Sequence, residues 1–202
     1  MQKEENSLLP SLMRIDDFER RAILLPERSM VDPLQRMLLL KEASEFEGFK
    51  ALKINRDLVK FFTKSDAIFK FFEELSHEHV SFGALVEGDA YVEFAEHIDI
   101  LEELQENYKT LLESKGLSDR VFIPSSYRIN NGFIEAYERF ELYLEGYMSY
   151  FELELIEKIA QKRAFIIHMH TSKFNKKVQE RFLEMGVELP ENSQVSFDLQ
   201  SK

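Results

Sequence analysis

The sequence predicts a mostly helical α/β protein: a helical subdomain followed by a small parallel sheet flanked by helices. Two observations carry this. Between residues 32 and 115, apolar side chains recur at spacings of three, four and seven, the period of a helix with one buried face. After residue 139 the pattern changes to short aliphatic and aromatic runs separated by helical stretches. Strand–helix–strand–helix–strand is the order of a parallel, three-layer sheet.

Each element has a local reason. Arg14–Ala22 reads as a short helix. Asp32-Pro33 opens a longer one, because Asp caps free amides and Pro suits a first turn that needs no N–H. Leu34, Met37 and Leu38 are expected to form its apolar face, with Gln35, Arg36 and Glu42 turned away. In 55–75, Leu58, Phe61, Phe62, Ile68, Phe69, Phe72 and Leu75 form a helical stripe, and Ser65-Asp66 is expected to end one helix and cap the next. Residues 80–88 read as a short or irregular connection. In 89–115, Tyr91, Phe94, Ile98, Leu101, Leu104, Tyr108 and Leu111 form a seam on a helix about 40 Å long. Gly116 stops it, and Glu96, Asp99, Glu103, Glu106 and Glu113 form a solvated acidic face. Strands are expected at 140–145, 164–170 and 195–199, with helices at 149–161 and 175–185. The chain thus divides into a lead-in and short helix (1–24), a helical subdomain (25–135) and a partial α/β unit (136–202).

Composition narrows the classes. The 202 residues carry 18 Phe, too much packing material for a disordered chain. Cysteine is absent, so disulfides, Cys–zinc sites and thiol catalysis are excluded, and a reducing, cytoplasmic setting is expected. The polar start MQKEENS does not read as a secretory leader, and no apolar run approaches the roughly 18 residues of a membrane span. Net charge is −11, which argues against a dedicated nucleic-acid coat. The acidity is local: residues 76–161 carry 18 acidic and six basic side chains, whereas 162–202 carry five acidic and seven basic.

Most chemical motifs fail on inspection. Gly83–Gly88 has the glycine spacing of a phosphate-binding loop, but Asp89-Ala90 stands where Lys-Ser/Thr is needed, and no strand precedes it. Glu113-Ser114-Lys115, the sole Glu-x-Lys, sits at a helix end rather than on a nuclease strand. His168 and His170 share one face of a strand and are weak candidates for a metal pair, since no carboxylate spacing completes a site. His77 and His79 suit a helix C-terminus for dipole reasons. The informative stretch is Arg139–Tyr147, a strand ending in Glu145. In nucleoside triphosphatases a carboxylate at that place holds Mg²⁺, and the next residue is often an acid that activates water. Gly146 occupies the second place and cannot act as a base, so the pair reads either as a degenerate magnesium/ATP-site position or as no site at all.

These pieces, in order, resemble an internal segment of the AddB-type subunit of bacterial helicase–nucleases, the RecBCD-like repair machines. The resemblance rests on Ile15–Phe18, on Met37–Ala43, on the long stretch 97–116, and on Leu142–Tyr147 followed by Phe151–Ile156. It implies part of a superfamily-one helicase fold carrying a helical insertion. It also implies an excerpt of a longer protein, since in that family the phosphate-binding loop lies upstream and the nuclease motif downstream. Such a segment is expected to need no cofactor, to hydrolyse no ATP and cut no DNA alone, and to act beside an AddA-like helicase–nuclease subunit on DNA ends. Lys173, Lys176 and Lys177, the basic cluster near a strand end, read either as a solvated helix start or as candidate DNA contacts. Two rival readings follow from the residues alone: a free-standing interaction or regulatory module that docks a partner through the 91–111 seam, and a metal-dependent enzyme using His168 and His170.

Overall fold

The structure is a computed structural model that describes residues 10–25, 28–87 and 94–201. It is a mostly helical α/β fold with small mixed sheets. The expectations on residues 1–9, on Tyr91 and on Gly88-Asp89-Ala90 lie outside the described residues. No helix among the described residues is long and apolar enough to cross a membrane.

Chain order begins with α1 (Ile15–Ala22), β1 (Ile23–Leu24), β2 (Ser29–Met30) and α2 (Pro33–Ala43), then a 3₁₀ turn at Gly48–Leu52. The helices α3 (Leu58–His77), α4 (Phe82–Glu87) and α5 (Ala95–Ser114) follow, then β3 (Leu117–Ser118) and a second 3₁₀ turn at Arg120–Phe122. The remainder is α6 (Ile123–Ser126), β4 (Arg128–Ile129), α7 (Asn131–Glu135), β5 (Arg139–Leu144), α8 (Tyr150–Ala160), β6 (Ala164–His170), α9 (Lys176–Glu184) and β7 (Gln194–Asp198).

The described residues pack around two cores. The helical core gathers Leu40 and Phe49 with Phe61, Phe69 and Phe72 of α3 and Leu104, Tyr108 and Leu112 of α5. The second core lies under the sheet: Phe140, Phe165 and Ile167 meet Phe151 and Ile156 of α8 and Phe182 of α9. Phe18 and Ala22 of α1 also belong to this second core, and β1 pairs antiparallel with β4, Ile23 opposite Ile129.

The long elements follow their patterns, with four departures. The predicted face of α2 is displaced. Leu39, Leu40 and Ala43 are buried, whereas Leu34 is 56% exposed. The reason is Arg36, expected outside, which turns inward to reach Asp119 and Glu73 and takes Leu39, Leu40 and Ala43 (i+3, i+4, i+7) with it. Next, α3 runs unbroken for 20 residues through Ser65-Asp66. Ser65 is buried and bonds the Phe62 carbonyl at 2.9 Å, so it stays inside the helix instead of capping a new one. Third, Phe94, expected in the α5 seam, caps the helix and is half-exposed, while Ile98, Leu104 and Tyr108 are buried as expected.

The fourth departure is the sheet. Its order is β5-β6-β7, with β5 and β6 parallel but β6 and β7 antiparallel. The sheet is mixed because a clip at Thr171 brings the chain back to the end of β6. Thr171 N–H donates to the Ser193 carbonyl at 2.8 Å, its hydroxyl donates to the Pro190 carbonyl at 2.6 Å, and Ser193 N–H returns a bond to that hydroxyl at 2.9 Å. The strand β7 therefore starts opposite His170 and runs back along β6. The sheet also has two layers rather than three among the described residues. Phe165, Ile167 and Met169 face the helices, and the other side carries Glu141, Tyr143, His168 and Ser196. A polar face needs no covering helix.

The Phe-rich stripe of α3 is core. Phe69 is buried against Tyr108 (ring centroids 5.5 Å apart) and beneath the Arg36 guanidinium, 3.7 Å from its centroid. Phe69→Ala should therefore lower unfolding free energy by about 3–5 kcal/mol in urea titration. A variant as stable as the parent would show that α3 turns a different face inward.

Candidate functional site

The two cores meet where the end of α3 crosses the start of α8. His77-Glu78-His79 supplies three consecutive side chains to that junction. His77 stacks on Phe151 at 5.3 Å, Glu78 pairs with Arg181 of α9, and His79 Nε2 lies 3.6 Å from Glu154 of α8. His79 adopts a left-handed backbone (φ 53°), which turns the chain off the helix so that all three residues reach across. The sequence placed these histidines correctly at a helix end, but their work is to join the two cores.

Arg181 is the central group on the other side. It is buried, its guanidinium lies over the rings of Tyr147 (4.7 Å) and Tyr150 (4.0 Å), and it donates to the Met148 carbonyl, the Tyr147 hydroxyl and Glu78. These bonds hold the loop that follows β5. The helix after that loop is fixed by a capping box: Glu152 N–H donates to Ser149 Oγ at 3.2 Å, and Ser149 N–H donates to Glu152 Oε2 at 2.7 Å. Glu145 and Gly146 sit in the first part of the same loop. Both are exposed, and a Cβ built on Gly146 would meet no atom within 4 Å.

A cleft of about 530 Å³ opens at this junction, lined by residues that include Glu19 of α1, Lys70, Glu74 and His77 of α3, and Glu152 of α8. Burial, then the charges of Glu152 and Asp16, push the Glu19 carboxyl up to about 7, with Arg120 acting in the opposite direction. Burial pulls His77 below its ordinary value against the charges of Glu152, Glu73 and Glu78. Its Nε2 is shielded from solvent and has no hydrogen-bond partner. The cleft is therefore lined by a carboxyl that holds its proton more tightly than usual and an imidazole that gives its proton up more readily.

The other sequence candidates stand apart from this cleft. His168 lies on the open sheet face, its Nδ1 2.7 Å from Ser196 Oγ and its Nε2 3.5 Å from Glu141, with the Tyr143 ring stacked on it at 4.6 Å. His170 follows on the same face and is exposed. No group of three potential metal ligands occurs among the described residues. Lys173, Lys176 and Lys177 are exposed around the β6–α9 loop. Gly83 lies inside the helix α4, not in a loop, and Glu113 closes α5 beside Arg28 at 3.3 Å. The α5 acidic face is exposed as expected. The buried part of its seam packs in this chain's own core, so it offers no free face to a partner.

Glu19 and Arg181 were missed as site residues. A signal for both was present: Glu19 belongs to the set Ile15, Phe18, Glu19, Ala22, and Arg181 to Val178, Arg181, Phe182. Each is a charged residue at a core-facing helical position.

Neither a protein-family model, nor a curated protein, nor a solved structure matches the chain.

The cleft predicts a pH dependence. The folded Glu19 carboxyl titrates near 7 and the unfolded one near 4.5, so the folded state holds the proton more tightly. Stability falls as pH rises from about 4.5 to about 7 and then levels off. Glu19→Gln removes that loss. The variant should melt about 2–4 °C above the parent at pH 8, with the gap narrowing toward pH 5. A gap independent of pH would contradict the assignment.

Proposed function

We propose that the chain is a non-catalytic segment of a helicase–nuclease that processes DNA double-strand ends, a scaffold within an inactivated helicase domain that resembles the AddB type. The observation that supports it most is Glu145-Gly146. The strand β5 ends at Leu144, the carboxylate of the next residue is exposed, and β5 pairs in parallel with β6 across the helix α8. In a phosphoryl-transfer site that carboxylate binds Mg²⁺ and its neighbour orients the attacking water. Glycine has no side chain for the second task, so on this reading the position retains an acid without the base that follows it. The junction at Arg181 fits a scaffolding role, because it fixes this loop against the helical core.

The test is co-expression of the 202-residue chain with an AddA-like helicase–nuclease subunit. The expected result is a stable one-to-one complex on size exclusion. Separate elution would contradict the reading. The chain alone should turn over no ATP, and turnover that Glu145→Gln abolishes would contradict it equally.

A further inference from the structure

Phe174 is 88% exposed, the most exposed Phe among the described residues, and it contributes to neither core. It is held in place nonetheless. Its N–H donates to Ser172 Oγ at 3.3 Å. The next residue, Asn175, donates to the His170 carbonyl at 2.8 Å and accepts from Ser172 N–H at 2.9 Å. Gln179 of α9 donates to the Ser172 carbonyl at 2.8 Å. The loop thus presents an aromatic ring to solvent on a fixed backbone, where a flexible tip would have to be ordered on binding.

The charge around the ring is equally specific. Residues 171–179 contain no acid and three lysines, in a chain of net charge −11. Lys173 Nζ lies 5.1 Å from the Phe174 ring centroid, and Lys176 and Lys177 are exposed at the start of α9. The loop leaves the C-terminal end of β6, which is in register with the C-terminal end of β5 (Leu144 opposite Met169). That edge is where open α/β sheets bind ligands.

We propose that Phe174, with Lys173, Lys176 and Lys177, forms a stacking site for single-stranded DNA at this sheet edge. An exposed ring offers a π-face to any unpaired base, and the lysines neutralise the phosphates on either side of it. A paired duplex keeps its bases stacked inside and gives the ring nothing to engage. The inference rests on the reading proposed above, yet the two fail separately: a chain that binds the AddA-like subunit but not DNA loses only the stacking site, and a chain that binds DNA through Phe174 but not that subunit loses only the scaffold.

The experiment is fluorescence anisotropy with a fluorescein-labelled oligothymidylate at low salt. Phe174→Ala should weaken binding at least about fivefold, the lower end of measured base-stacking effects, with an unchanged melting temperature. Phe174→Trp should retain binding. Replacing the three lysines with glutamine should flatten the slope of log affinity against log salt by about 2. Equal binding by the parent and Phe174→Ala would overturn the proposal. So would equal binding of a duplex of the same length, or capture by phosphatidylserine vesicles without oligothymidylate binding.

Discussion

The carboxylate of Asp119 is the group on which the helical core depends. It is 1% exposed and accepts four hydrogen bonds: two from Arg36 (2.6 and 3.0 Å), one from the Tyr108 hydroxyl (2.8 Å) and one from Val121 N–H (2.9 Å). Those bonds join α2, α5 and the segment after β3 at one point. Arg36 extends the junction to α3 through Glu73, and its guanidinium covers Phe69. A charge so deeply buried is tolerated only when its oxygens are fully engaged. Burial opposes the charge on Arg36, but the bonds and charges of Asp119 and Glu73 more than offset it. Burial, with Asp119 beside it, likewise drives the Tyr108 hydroxyl above its ordinary range. The geometry of this node decides which face of α2 turns inward, and so the placement of the helices that carry the junction.

The same logic recurs at the second node. Arg181 is buried among aromatic rings and engages a carbonyl, a phenol and Glu78, and through them it sets the loop that carries Glu145 and Gly146. Several carboxylates gather in the cleft beside it, and burial with the charges of Glu152 and Asp16 makes Glu19 hold its proton more tightly. Two engaged charges stabilise the frame, and one poorly compensated charge makes the junction sensitive to pH.

Much of this was legible in the residues. The period of α3 and α5, the Asp32-Pro33 start, the Gly116 stop and the strand–helix–strand run of β5, α8 and β6 all follow from local chemistry. What was not legible has a common cause. Arg36, Glu19 and Arg181 sit at core-facing positions, and a reading that sends charges outward rotates the helix away from them. For the two arginines a distant partner, 83 residues away for Arg36 and 103 for Arg181, makes such a position favourable, whereas Glu19 is accommodated by holding its proton. The reversal of β7 was hidden for the same reason, since it follows from Thr171 bonding residues about 20 positions later. The two-residue strands have no period to read. Glu145 and Gly146 were singled out because their reading is local; Phe174 passed unnoticed because only the fold reveals that a ring so exposed stands on a hydrogen-bonded backbone.

The central claim is that Arg36 and Asp119 act as a single unit that fixes the helical core. A double-mutant cycle in urea tests it most directly, with Arg36→Met, Asp119→Leu and the pair combined. Each single change removes one side of a buried ion pair and should cost about 3–5 kcal/mol, while the pair together should cost clearly less than the sum, with a coupling of about 2 kcal/mol or more. Losses that simply add would contradict the account.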